Sequence, residues 1–274
     1  MRLTVRTVVC GLATLAVFSA TPASAQYQRY RQAASGPESW HVEFTFGTWQ
    51  PPPDLKISGE AGDVAGTTID ARTDLGVQAR LLKQFDLVLR PAKKHKFRFG
   101  YAPATYSANV VMAQPVVFNG QAFTIGMPVA TVVNWTTYRV GYEYDVISRS
   151  RGFLGFIVQA RYDKSSVTLS SSGGSQTTRI RTPVPMLGGI VRVYPATSFS
   201  LTGEITGSMV PGRLKTATNY DGKWIDMDLY ATVNIGRHLG LRSGYRSLTL
   251  DYQWNLNRDE LVWKGPYATV AVRF

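Results

Sequence analysis

From Trp40 onward, apolar and polar side chains alternate with a period of two. In Trp40-His41-Val42-Glu43-Phe44-Thr45-Phe46 the alternation has no exception. The cleanest long case puts Ile225, Met227, Leu229, Ala231, Val233 and Ile235 on one face, with Asp226, Asp228, Tyr230, Thr232 and Asn234 on the other. Successive side chains of a strand point to opposite sides, so this pattern predicts strands with one apolar and one polar face. The same test predicts ten strands, at 40–50, 81–91, 95–112, 129–147, 152–169, 177–194, 197–211, 222–236, 238–256 and 260–274, and no helix. Eight or twelve strands are the alternative counts.

The connections carry a second regularity. Short links at 91–95, 148–152, 195–197 and 236–239 alternate with longer ones at 51–80, 113–128, 170–176 and 212–221, the last link, 257–259, being short but polar. That alternation predicts an all-β fold, an up-and-down antiparallel transmembrane β-barrel with short periplasmic turns and long outer loops. An even strand count puts both chain ends on the periplasmic side. Asn119-Gly120, between Val116-Val117-Phe118 and Gln121-Ala122-Phe123, is a strong hairpin signal because both residues accept positive φ. The third and fourth strands are expected to project there as a ribbon, with 51–80 also outside.

Alternation alone does not say which face meets lipid. Three features favour a membrane barrel over a secreted soluble one. Tyr138, Val140, Tyr142 and Tyr144 put aromatic residues on an apolar face, as in an interfacial girdle. Arg139, Gly141, Glu143 and Asp145 put charges beside small residues on the opposite face, as in a crowded lumen. The chain ends on Phe274, with Ala268, Val270 and Val272 on the same face.

Composition fixes the compartment further. Residues 1–25 read as a secretory signal: Arg2 and Arg6, an apolar stretch from Val8 to Phe18, then Ala23-Ser24-Ala25 before the cleavage point. Cleavage leaves 249 residues and takes the net charge from +12 to +10. Residues 26–39 read as a polar periplasmic tail, and 40–274 as the barrel. The one cysteine, Cys10, lies in the leader, which excludes disulfides and cysteine metal sites from the mature chain.

The leader, the alternating strands and the ending Tyr267-Ala268-Thr269-Val270-Ala271-Val272-Arg273-Phe274 resemble bacterial outer-membrane β-barrel proteins. The resemblance covers the chain after about residue 39 and matches no subfamily residue by residue. It implies location in the cell outer membrane and contact with outer-membrane lipids. It also implies recognition by the barrel assembly machinery of a terminal signal formed by Tyr267, Val270, Val272 and Phe274.

Counting charges on the faces taken as inward gives nine arginines against nine carboxylates. The arginines are Arg90, Arg98, Arg139, Arg161, Arg179, Arg181, Arg192, Arg242 and Arg246. The acids are Glu43, Asp86, Glu143, Asp145, Asp163, Glu204, Asp226, Asp228 and Asp251. Arg192 does not share the parity of Arg179 and Arg181, so this assignment needs a bulge between them. Barrels of about eight to ten strands are mostly filled by their side chains. The expected function is therefore structural or surface-interacting, with charge pairs filling the lumen. A narrow, porin-like channel for small solutes is the alternative.

An outer-membrane hydrolase fits less well. It needs a general base on the outer half of the barrel, and His41, His95 and His238 all map to the periplasmic side. The Ser-rich run from Ser165 to Ser175 then reads as a loop without a base. Asp54, Glu60, Asp63, Asp70 and Asp74 in the first long loop match no calcium spacing and read as a solvated acidic loop. No enzyme activity, cofactor or metal is expected. The positive charge supports no nucleic-acid partner, because no recognition fold or basic-aromatic motif accompanies it.

Overall fold

The computed structural model describes residues 38–52, 54–58, 67–209, 220–254 and 257–274. The expected leader and nearly all of the tail fall outside the described residues. In chain order the strands are β1 (Val42–Trp49), β2 (Asp54–Ser58), β3 (Thr68–Asp70), β4 (Leu82–Ala92), β5 (His95–Val111), β6 (Val116–Phe118), β7 (Gln121–Phe123), β8 (Pro128–Arg149), β9 (Gly152–Ser171), β10 (Gly174–Ala196), β11 (Phe199–Met209), β12 (Tyr220–Ile235), β13 (Leu239–Trp254) and β14 (Asn257–Arg273). Ten of them pair antiparallel in the order β1-β4-β5-β8-β9-β10-β11-β12-β13-β14. The last returns to the first, with Glu43 opposite Arg273 and Trp49 opposite Tyr267, and this pairing closes the barrel. The chain is a ten-stranded, up-and-down antiparallel β-barrel.

One end carries the tight turns and Phe274, and we call it the turn end. The other is the loop end. Along the longer strands the two faces exchange polarity between these ends. On β5, Phe97, Phe99 and Tyr101 point outward near the turn end while Lys96 and Arg98 point in. Farther along the same strand Thr105, Ser107 and Asn109 point outward, and Ala104 and Tyr106 are buried inside. On β9, Leu154, Phe156 and Val158 are outward and Lys164, Ser166 and Thr168 follow them, while Val167 and Leu169 are buried within. The turn-end half is apolar outside and charged inside, as a bilayer requires. The loop-end half is polar outside and apolar inside, as water requires.

The loop-end interior is closed by two insertions. β2 and β3 extend the sheet from the edge of β14, and Leu55, Ile69, Leu75 and Val77 are buried in the apolar core. β6 and β7 form a separate hairpin, with Asn119 at φ 52° and Gly120 at φ 78°, the two positive values that an Asn-Gly turn supplies. This hairpin does not prolong β5 and β8 as a ribbon. It folds across the mouth, where Val116, Phe118 and Phe123 are buried in the same core and Asn119 Nδ2 donates to Thr177 O at 3.3 Å. Its alternate apolar residues leave water by turning inward. β5 and β8 themselves stay paired out to Val111–Pro128, and Ala130 of β8 lies across from Ser170 of β9. The third and fourth barrel strands therefore project as far as β9–β10, which is continuously paired from Val193–Gly152 to Gly174–Ser171. The Ser-rich run is thus strand up to Ser171, turning through Ser172 and Gly173, and not a loop.

In the first loop, Asp70 Oδ1 accepts the amides of Arg72 (2.9 Å) and Thr73 (3.0 Å), and Asp74 Oδ2 accepts that of Asp70 (2.8 Å). Two of the carboxylates therefore build the turn itself. Asp54 faces Arg72 at 3.8 Å, and Glu60 and Asp63 lie outside the described residues. Among the described residues no group of three metal-binding side chains occurs.

Candidate functional site in the lumen

The inward face of the turn-end half gathers charges from nearly every strand. At the seam, Glu43 accepts Arg273 Nε at 2.6 Å and Arg242 Nη2 at 3.0 Å, joining β1 to both β13 and β14. Lys96 Nζ lies 2.8 Å from Glu143 and 3.1 Å from Asp145, and 3.7 Å from the Phe153 ring centre. Arg98 bridges Glu143 at 3.2 Å and Glu204 at 2.6 Å. Arg139 meets Asp86 at 2.6 Å. Gly100 makes that pair possible: a Cβ there would fall 2.7 Å from Arg139 Nε and 2.9 Å from Asp86 Oδ1.

A further layer of charges lies in the middle of the barrel. Arg161, 2% exposed, donates to Asp163 at 2.6 Å and to Asp226 at 3.4 Å. Arg246 Nε donates to Asp226 at 2.8 Å. Asp228 accepts Tyr267 Oη at 3.1 Å, and Arg192 donates to Thr202 and Tyr230 at 2.8 and 2.9 Å. On the loop side of this layer the rings of Trp49, Tyr106 and Trp135 lie within 6.0 Å of Trp263. The interior holds a polar cavity of about 70 Å³ among the charges, an apolar one of about 60 Å³ under Phe118, Trp135 and Trp224, and a smaller one of about 20 Å³ between Trp49, Arg161 and Arg246. A water needs about 10–15 Å³ measured this way, so the two larger cavities have room for a few waters each.

The sequence-derived lumen set is not wholly inward. Arg179 and Arg181 are exposed on the outer face of β10. Pairing with β9 runs without a shift from Gly174 to Val193, so no bulge rescues them, and the buried Arg192 has the inward parity. Asp251 likewise shares the outward parity of Tyr245 and lies across from Lys223. Two inward cations escaped the sequence reading. Lys96, grouped with Lys93 and Lys94 as a turn residue, is the second residue of β5 and is buried. Arg273 alternates with Val272 and Phe274 and so points in. In the terminal segment, Val270, Val272 and Phe274 share the outer face, whereas Tyr267 is odd-numbered like Arg273 and is buried in the lumen. It does not belong to the same surface.

The three histidines lie at the turn end. His41 Nδ1 is 3.1 Å from Arg90 O, His95 Nδ1 2.6 Å from Tyr142 Oη, and His238 Nδ1 2.8 Å from Arg273 O.

No protein-family model matches the chain, and no curated protein matches it. Among solved structures it is similar to the outer membrane protease OmpT from Escherichia coli, with a TM-score of 0.60 and 10% identity over 87% of this chain and 97% of that one. The translocator domain of the autotransporter NalP from Neisseria meningitidis gives a TM-score of 0.48 and 12% identity, over 92% and 95% of the two chains. Neisserial surface protein A gives 0.34 and 11%, over 86% and 97%. At such identities the likeness to the first is one of fold, that of a small outer-membrane β-barrel.

Proposed function

We propose that this chain is an integral outer-membrane barrel with a structural or surface-interaction role, its lumen filled by charge pairs. One observation carries the reading: the layer of Arg161, Asp163, Asp226 and Arg246 lies directly beneath the Trp49, Trp135 and Trp263 rings and spans the interior. Opening it would strand buried charges, at about 3–5 kcal/mol each when one partner is lost. The outward apolar belt of the turn-end half supports the membrane location, and the general rule for such barrels sets the turn end in the periplasm. Val270, Val272 and Phe274, on one outward edge, are the residues we assign to recognition by the assembly machinery.

The competing reading, a narrow channel for small solutes, draws on the polar cavity of about 70 Å³. Planar-bilayer recording of the refolded protein separates the two. Our reading expects no steady conductance, and stepwise currents whose selectivity changes on replacing Arg242 or Arg246 would overturn it. The protease named among the similar folds lends only its fold. Here the imidazoles lie at the opposite end from the loops, engaged with backbone or tyrosine oxygens, which argues against hydrolysis at the outer mouth.

A further inference from the structure

The arginines that left the lumen form a cluster of their own. Lys164 on β9 stands directly opposite Arg181 on β10, both exposed, with Arg179 two residues farther toward the loop end on the same face. Like charges directly opposite on a sheet repel, so the arrangement is unfavourable unless something anionic relieves it. Among the described residues none of the three has a carboxylate partner. Lys164 does not extend away from the bilayer either. Its Nζ lies 5.3 Å from the ring centre of Tyr138 and 5.5 Å from that of Tyr162, so the ammonium rests against the two tyrosines that end the apolar belt. Tyr138 and Tyr162 are themselves cross-strand partners, with Val140 and Ala160 paired next toward the turn end.

The patch thus has three cations at headgroup depth and an uninterrupted apolar surface where acyl chains would run. We infer that it is a binding site for a phosphorylated lipid of the leaflet at the loop end. The inference rests on reading the chain as a membrane barrel. A soluble phosphate would satisfy the cations but leave the apolar surface unexplained, which is why a lipid is the assigned ligand. The other outward lysines at the same border are spread over separate strands and form no such triplet. Lys83 lies two residues beyond Phe85, Lys223 beyond Ile225 and Lys264 beyond Pro266.

The test uses the full barrel inserted in phosphatidylcholine vesicles, with insertion scored first. A chain that never inserts overturns the membrane reading and this site with it. Binding of bisphosphorylated lipid A, titrated into mixed micelles of the refolded protein, is then compared among variants. Each basic residue near a charged lipid surface contributes about fivefold, so Arg181→Gln should weaken binding about fivefold and Lys164→Gln/Arg179→Gln/Arg181→Gln about a hundredfold. Lys164→Arg should bind as wild type. All three residues are exposed and repel one another, so the triple variant should melt no lower than the wild type in neutral micelles. Unchanged binding by the triple variant overturns the proposal. So does an equal loss in Lys83→Gln/Lys223→Gln/Lys264→Gln, which would reduce the effect to general charge. Equal binding of dephosphorylated lipid A overturns the role of phosphate, and full competition by inorganic phosphate overturns the choice of a lipid.

Discussion

Asp226→Ala should destabilise the barrel more than Glu143→Ala. Arg246 donates to both oxygens of Asp226, and Arg161 reaches one of them at 3.4 Å. Among the described residues no other carboxylate lies within ion-pair distance of Arg246. Truncating Asp226 therefore leaves a guanidinium only 6% exposed, against the Trp49 face and with only the more distant charges of Asp228 and Asp86 to attract it. The cost should be about 3–5 kcal/mol, toward the lower figure because the adjoining polar cavity admits water. Glu143→Ala removes an equally buried acid, but Lys96 keeps Asp145 at 3.1 Å and Arg98 keeps Glu204 at 2.6 Å. Its cost should be about 1.5–3 kcal/mol, the value of lost hydrogen bonds to charged groups that retain a partner. Asp226→Ala/Arg246→Leu should recover most of the loss, since an apolar replacement of the whole pair strands no charge. Urea unfolding in lipid vesicles, followed by tryptophan fluorescence, gives the midpoints at constant slope. An equal or larger loss in Glu143→Ala, or a double variant no better than Asp226→Ala, would refute the reasoning.

Gly100→Val should part Asp86 from Arg139 and lower stability by about 1–3 kcal/mol in the same assay, as overpacked sites do. Phe274→Ala removes an outward ring worth roughly 2 kcal/mol if half buried in lipid, so refolding in vitro should be near normal. The amount of membrane-inserted protein in cells should nevertheless fall if the terminal signal is read, and normal insertion in both settings would reduce Phe274 to an interfacial ring. Phe118→Ala should cost about 3–5 kcal/mol at the cap by cavity formation and speed protease cleavage at the Asn119-Gly120 hairpin, while leaving the midpoint of the turn-end half unchanged.

Period-two alternation located all ten barrel strands, because each pairs on both sides and must keep its parity. It also gave the right face for Glu43, Glu143, Asp163, Asp226 and Arg246. It misled at Arg179, Arg181 and Asp251 for one physical reason. A charge means "inside" only where lipid is outside, and beyond the bilayer the same charge belongs in water. Lys96 was hidden because its neighbours Lys93 and Lys94 are turn residues, and only the start of β5 at His95 separates them. The inward fold of the Asn119-Gly120 hairpin was legible as a turn but not as a cap. Its direction depends on the apolar core beneath it, which is assembled from distant strands.

The exchange of polarity along the strands has a thermodynamic consequence. Apolar burial from water carries a large heat-capacity change and is driven largely by entropy near room temperature. The loop-end half owes most of its cohesion to that effect. The turn-end half buries only a small inward cluster of Phe153, Ile157 and Ile190, and its outward groups pass from one hydrocarbon surrounding to another if the chain loosens within lipid. Heat-capacity change on unfolding in a bilayer should therefore come chiefly from the half outside it. Changing acyl-chain length should act on the other half, so that temperature and membrane thickness become separate controls on two regions of one continuous sheet.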